Sequence, residues 1–371
     1  MSDPSENRHA TWLELFFDLI FVVAIAKAAH VLQHPHHGHI EGISYFKYVL
    51  IMIPVWWAWV GATMFANRFD CEDIYQRLMS FAQMFFVIIL AAHISTEFDS
   101  YYKGFLFSYA AIRFLTVAMY VRASLNNPES RSVSNFLARA FGAGTLISLF
   151  SLFFDGITRY IVLYVGIGFD MVMPLMARKR LQAIPVHAHH LPERFGLLTI
   201  ILLGESVLSL ANSFDTLLWT PLPLTLAACG FIMVCSLWWL YFENIERRIV
   251  GQHLGHGHGI LYSHFLIYIG LGGIAAMIRF AVIPELTLFD YKLLSGLGIL
   301  TFMLALQSLH FIYHPKDIRK HLFRNAVLFN GLFIVLLTFS PTVPSVMAGT
   351  TVLILIYVVL ENVRLKMPAP A

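Results

Sequence analysis

At 371 residues, with 58% hydrophobic and only 13% charged side chains, the chain departs from ordinary soluble domains, where about a quarter of residues are charged. This composition excludes a soluble globule, and a net charge of +3 gives no reason to expect a nucleic-acid partner. The fold class read from it is all-α: a polytopic transmembrane helix bundle whose first partner is the lipid bilayer.

Taking about 20 apolar residues as one crossing, the chain divides into about 12 spans. They are expected near 12–32, 44–67, 76–94, 104–123, 134–153, 157–177, 194–212, 222–243, 260–281, 292–313, 322–340 and 344–364. The first run carries Glu14 and Asp18 and lacks a small-residue cleavage site, so it reads as a retained helix rather than a signal peptide. The fifth and sixth spans are separated by Phe154-Asp155-Gly156, a tight turn. The last two meet at Ser340-Pro341-Thr342-Val343-Pro344, where the prolines stop one helix and start the next.

Basic residues are distributed unevenly between the two sets of flanks. One set holds Arg8, Arg68, Arg77, Arg122, Arg131, Arg178, Lys179, Arg180, Arg194 and several more. The other holds Lys47, Lys103, Arg159 and Lys292, with Lys27 and Arg279 just inside the membrane. The positive-inside rule then puts both termini in the cytoplasm.

The two halves resemble each other. Ile51-Met52-Ile53-Pro54-Val55-Trp56-Trp57 is echoed by Ile232-Met233-Val234-Cys235-Ser236-Leu237-Trp238-Trp239, and each Trp-Trp pair follows a glutamate-containing segment at a similar distance. A division into residues 1–180 and 181–371 as two parallel six-helix repeats is expected, as in some secondary transporters, whose sites lie near the midplane between the halves. Chance likeness between apolar helices is the other reading.

Two stretches place carboxylates within apolar runs, where an ionised group costs about 2.5–3.5 kcal/mol at the bilayer centre. In the first, Glu14 and Asp18 lie four residues apart on one helix face, about 6 Å apart along the axis. Either a cation sits between them or one holds a proton. They serve either to lock the first helix to an arginine or to contact a bound or transported species. In the second stretch, Glu193 and Arg194 open the seventh span, and Glu205 follows about 18 Å further along the helix axis. Gly204 leaves a gap beside that carboxylate, and Ser206 and Ser209 add hydroxyls. Arg113, midway along the fourth span, is the expected counter-charge of Glu205. Asp18, Asp170 and Glu205 are expected to share Arg113 and Arg194 in a polar core.

These stretches also carry a family likeness. Glu14-Leu15-Phe16-Phe17-Asp18-Leu19, together with His190, Glu193-Arg194-Phe195-Gly196-Leu197 and Gly204-Glu205-Ser206, resembles the signature segments of the bacterial low temperature requirement A family. The resemblance implies a multi-spanning protein of the bacterial cytoplasmic (inner) membrane and brings no activity with it. Within the motif, His190 is expected to bond Glu193 or cap the seventh helix.

Other features are plainer. His34, His36, His37 and His39, then His187, His189 and His190, and then His253, His256 and His258 form loop clusters whose Gly- and Pro-rich settings promise no fixed metal geometry. No metal site and no cofactor is expected. His93, His264, Glu243, Glu361 and Arg364 read as interfacial, and Lys27, His30 and Arg279 as snorkelling to headgroups. Trp56, Trp57, Trp59, Trp238 and Trp239 read as packing or interface anchors, with ligand stacking as the alternative. The Gly270–Gly273 run predicts a close helix contact. Cys71, Cys229 and Cys235 have no redox or ligand spacing.

Three functions fit these residues. The first is a proton-coupled secondary transporter of a small solute, with protons and that solute as partners. The second is a non-transporting sensor or scaffold held by ion pairs. The third is an intramembrane enzyme acting on a lipid-linked substrate near Glu14 and Glu193, although no nucleophile stands out.

Overall fold

The computed structural model describes residues 8–33, 39, 42–69, 73–95, 97–214, 220–249, 254, 257–313 and 316–365. Among these, the chain is helical, and 12 helices are long and apolar enough to cross a membrane. They are α1 (Trp12–His30), α2 (Gly42–Arg68), α3 (Ile74–Ala92), α4 (Phe98–Asn126), α5 (Arg131–Phe150), α6 (Gly156–Met176), α8 (His190–Ser213), α9 (Pro221–Arg248), α10 (His258–Val282), α11 (Leu288–Tyr313), α12 (Lys316–Phe339) and α13 (Val343–Leu365). α7 is a single turn, Arg178–Leu181. The protein is thus a multi-pass membrane protein.

Helix ends follow local chemistry. α1 starts at a capping box: the Thr11 hydroxyl accepts from Glu14 N at 3.3 Å, while Thr11 N donates to Glu14 Oε2 at 2.8 Å. Asp73 caps α3 by accepting from Gln76 N at 2.9 Å. Pro221 enters α9 in its first turn, where a missing N–H costs no helix bond. The turn into α6 is made at Gly156 with φ +58°, a conformation that suits a residue without Cβ. α4 begins six residues earlier than its apolar run suggests, because Phe98-Asp99-Ser100-Tyr101-Tyr102-Lys103 continues as helix despite its polarity.

The chain forms two compact units. The first contains α1, α2 from Lys47, α3 to α7 and the start of α8 as far as Leu197. The second contains Leu32–Phe46, α8 from Leu198, α9, α10 from Tyr262, and α11 to α13. In the first unit α1 packs on α3, α3 on α4, α4 on α5 and α5 on α6. In the second, α9 packs on α13, and α12 on both α11 and α13. Large apolar side chains such as Phe85, Phe107, Ile161, Leu328 and Val359 face outward, while Asp18, Arg113, Asp170 and Arg194 are buried. This inside-polar pattern suits hydrocarbon solvent, where apolar surface needs no cover and charges do.

The close helix contact expected at Gly270–Gly273 is present. A Cβ at Gly270 would lie 2.6 Å from Phe302 N, and one at Gly273 would lie 3.0 Å from Gly298 Cα. Two interfacial assignments need correction. His264 is fully buried: Tyr241 Oη lies 2.6 Å from its Nε2, and the rings of Tyr241 and Tyr268 pack against it edge-on. Glu361 is also buried and accepts from Asn325 Nδ2 at 2.8 Å. Arg279, read as snorkelling, is part-exposed at its helix end and pairs with Glu285 of the adjoining loop at 3.0 Å. In each case a partner on a neighbouring segment satisfies the polar group within the protein. Trp56, Trp57 and Trp59 are buried, whereas Trp238 and Trp239 are half exposed. His34, His36, His37, His253, His256 and Cys71, with the side chain of Arg364, lie outside the described residues; His39 bonds Asp290 at 2.7 Å.

Candidate functional site

The two signature segments meet in the first unit. Arg194 of α8 spans both carboxylates of α1. Its Nε and Nη2 donate to the two oxygens of Asp18 at 3.1 and 2.5 Å, and its Nη1 lies 2.9 Å from Glu14 Oε1. The planar guanidinium allows this arrangement, because its fork bonds one carboxylate side-on and leaves a nitrogen for the second. Trp59 Nε1 of α2 adds a third bond to Asp18, 2.7 Å to Oδ1. Asp18 and Arg194 are both almost completely buried, and the Trp59 ring packs edge-on against Phe195. A cation therefore does sit between Glu14 and Asp18, and it is Arg194.

His190 completes the group. Its Nε2 lies 3.1 Å from Glu14, and its Nδ1 lies 3.0 Å from Asn67 Nδ2. The amide of Asn67 is oriented by His187 N, which donates to Asn67 Oδ1 at 2.9 Å. Asn67 therefore offers His190 an N–H, so Nδ1 accepts and the ring proton belongs on Nε2, aimed at Glu14. The expected partner of His190, Glu193, is engaged elsewhere: its Oε2 accepts from Ala10 N at 3.1 Å and lies 3.4 Å from His9 Nδ1. Each segment's glutamate is thus held by the other segment or its approach.

A cavity of about 450 Å³ adjoins this network, and the described residues that line it belong to the first unit. Glu14 and Arg194 form part of its wall, with Arg8, Arg77, Gln76 and Gln83 as further polar lining. Trp12, Leu13, Phe16, Phe17, Phe81 and Met119 supply apolar surface. Trp12 and Arg77 are exposed at its rim, while Gln83 is fully buried.

The other charges form separate sites. Arg113 is bonded to Asp170, with Nε and Nη2 at 3.1 and 2.9 Å from Oδ2. Both are sealed from the surface beneath Phe141, whose ring centre lies 4.5 Å from the guanidinium carbon. Two glycines make the room. A Cβ on Gly61 would come within 2.5 Å of Arg113 Nη1, and one on Gly144 would overlap Asp170 Oδ1. The expected single polar core is therefore resolved into an Asp18–Arg194 cluster and an Arg113–Asp170 cluster, and the counter-charge assigned to Glu205 is taken by Asp170. Glu205 and Ser206 are buried in the second unit, where Gln33 Nε2 donates to Ser209 at 3.3 Å. Gly204 provides no close approach: its position is exposed, and an added Cβ would meet nothing within 4 Å. No group of three or more metal-ligating side chains occurs among the described residues.

Asn67 and Gln83 were not singled out from sequence, Trp59 was read as a packing anchor rather than a partner of Asp18, and Arg8 only as a basic flank. Only the Thr11-x-x-Glu14 capping pattern was locally readable; the others act across helices distant in the chain.

No solved structure matches the chain. An uncharacterized protein of Rhizobium meliloti (strain 1021) is 25% identical over 321 residues, covering 83% of this chain and 75% of its own length. The family model for the bacterial low temperature requirement A protein (LtrA) matches residues 9–360, which take in both signature segments and every helix of the sites described above. With so nearly complete a match, the chain belongs to the LtrA family.

Proposed function

We propose that this protein is a proton-coupled secondary transporter of a small solute in the bacterial cytoplasmic membrane, with both termini in the cytoplasm. The observation that carries this reading is the cavity walled by Glu14 and Arg194. Its volume falls within the range of about 300–1,000 Å³ usual for small-ligand sites. A carboxylate, an arginine and a histidine in its wall and behind it form a unit whose charge changes with one proton. When Glu14 takes a proton from water, its attraction for Arg194 Nη1 is lost, while Asp18 still holds Nε and Nη2. Nη1 then faces the cavity without its carboxylate and offers a donor to an incoming solute. Returning the proton restores the pair and releases the solute.

The basic flanks support the orientation, which puts the N-termini of α1, α3 and α8 and the C-terminus of α2 on the cytoplasmic side. Glu205 enters the proposal as a second carboxylate able to carry a proton, and the parallel-repeat architecture enters with it.

The test is flux in proteoliposomes containing the full chain and a trapped pH dye, challenged with a panel of carboxylates, amino acids, phosphates and sugars. Solute-dependent proton movement is expected from one class; it should be lost in Glu14→Gln, and is lost in Glu205→Gln as well if that carboxylate also carries a proton. Wild-type behaviour in that variant would remove Glu205 from the cycle. No proton movement with any solute, from protein that is folded in the liposomes, would contradict the transporter reading.

A further inference from the structure

We infer that the C-terminal half of α2, residues 55–68, is a lever that pivots at Pro54 and couples the Glu14–Asp18–Arg194 cluster to the Arg113–Asp170 pair, with Tyr164 as its fulcrum. This coupling goes beyond the proposed transport and does not depend on it.

Trp57 and Trp59 are two residues apart, a turn of about 200° on an α-helix, so they leave α2 on opposite faces. Trp59 Nε1 donates to Asp18 Oδ1 at 2.7 Å, and its ring centre lies 5.9 Å from the guanidinium carbon of Arg194. On the other face, the ring centre of Trp57 lies 5.8 Å from the guanidinium carbon of Arg113, and its indole N–H faces Asp170. Further along the same half, Gly61 leaves room for Arg113 Nη1, and Asn67 Nδ2 lies 3.0 Å from His190 Nδ1. One half-helix therefore touches both clusters. Among the described residues, no hydrogen bond or ion pair joins one cluster directly to the other.

Pro54 lies inside α2 and has no N–H, so the carbonyl four residues earlier, Leu50 O, is left without its helical donor. Tyr164 Oη of α6 donates to that oxygen at 2.8 Å. A carbonyl freed within a span needs such a partner, and the phenol supplies it without restoring the helical bond. The backbone can therefore bend at Pro54 while one side chain pins it there. α6 has a break of its own: Pro174 withholds its N–H from Asp170 O, four residues before it. Tyr164 and Asp170 belong to one helix, so α6 both holds the pivot and receives the displacement.

Little slack separates the two faces. Trp57 is 3% exposed and Trp59 1%, and a Cβ on Gly61 would come within 2.5 Å of Arg113 Nη1. One turn on, Phe65 packs against Phe69 and Tyr120 with ring centres 4.9 and 5.0 Å away. Close-packed interiors transmit displacement rather than absorb it. A shift that begins at Asp18 is therefore carried through the half-helix to Arg113 and Asp170.

The experiment is a double-mutant cycle on the full chain in mixed micelles titrated with SDS, pairing Asp18→Asn with Asp170→Asn. Independent sites multiply their effects on the unfolding constant to within about twofold, whereas coupling through α2 should depart from that product by at least about fivefold. The cycle is then repeated with Tyr164→Phe, which removes only the hydroxyl. Without its fulcrum the half-helix should transmit little, and the departure should fall back to within about twofold. Should either aspartate variant fail to fold, Trp59→Phe and Trp57→Phe, which keep an aromatic ring on each face, replace them in the same cycle. Hydrogen–deuterium exchange supplies a reading that a uniform loss of stability would not give. Trp59→Phe should raise exchange over residues 55–68 and leave residues 44–50 at the wild-type rate. Multiplicative effects with Tyr164 present, a departure that persists in Tyr164→Phe, or exchange raised evenly along α2 overturns the inference. None of these readings involves proton flux, so a failure of transport leaves the coupling standing, and a failure of coupling leaves transport untouched.

Discussion

Replacing Arg194 with Gln removes the side chain that, among the described residues, contacts both Glu14 and Asp18. Asp18 would lose bonds of 3.1 and 2.5 Å and keep Trp59 alone, and Glu14 would lose its 2.9 Å partner and keep His190 and the cap at Thr11. Single charged hydrogen bonds contribute about 1.5–3 kcal/mol, but the two to Asp18 and the ion pair with Glu14 share one guanidinium and are not additive. Breaking a buried pair by removing one partner costs about 3–5 kcal/mol, mostly because the remaining charge stays buried. That range is the expected loss for Arg194→Gln. Asp18→Asn added to it should recover about 1–3 kcal/mol, since the stranded charge is the main source of the cost. Unfolding in mixed micelles titrated with SDS measures both changes in one series. A loss below about 1 kcal/mol for Arg194→Gln, as for an exposed pair, would refute the reasoning. So would a double variant whose losses simply add.

Other outcomes follow from the same geometry. Gly144→Ala should destabilise the first unit strongly, because its methyl would overlap Asp170, while Gly142→Ala, with nothing within 4 Å, should be neutral or gain up to about 1 kcal/mol; the same SDS series reads both. Trp59→Phe keeps the ring contact with Phe195 but removes one donor from Asp18, and should cost about 1–3 kcal/mol; a silent substitution would mean that Asp18 is satisfied by Arg194 alone. Asp73, outside the spans, has its pKa lowered from 3.8 to about 2, chiefly by the Arg122 bond and then by Gln76 N. Because the folded value is the lower one, its stabilising effect is present above about pH 4 and is lost as pH falls toward 2. Arg122→Gln should flatten the dependence of stability on pH within that window and leave it unchanged at neutral pH and above.

The spans were legible because lipid imposes one rule on every crossing: a run of about 20 apolar residues that satisfies its backbone as helix. Errors concentrated where polarity and helicity diverge, as at Phe98–Lys103, where a polar opening turn still belongs to α4. The carboxylates were legible for the same reason, since Glu14, Asp18, Asp170 and Glu205 are costly in an apolar run. Their partners were harder to read, because depth alone ranks candidates on a dozen helices without ordering those helices around one another. Arg113 and Asp170 illustrate this: what brings them together is the space left by Gly61 and Gly144, on two further helices. His264 and Glu361 show the converse. Their positions near span ends suggested water, and partners on neighbouring helices, Tyr241 and Asn325, keep them buried. The cavity has no sequence signature, since its lining is drawn from α1, α2, α3, α4, α8 and the approach to α1.

The measurement that bears most directly on proton-coupled transport separates exchange from accumulation in Glu14→Gln. In proteoliposomes, a neutral residue at this position should permit solute exchange across the membrane while abolishing accumulation driven by an imposed pH gradient. Accumulation at the wild-type level in Glu14→Gln would show that protons enter the cycle elsewhere and would contradict the role assigned to the Glu14–Arg194–His190 group.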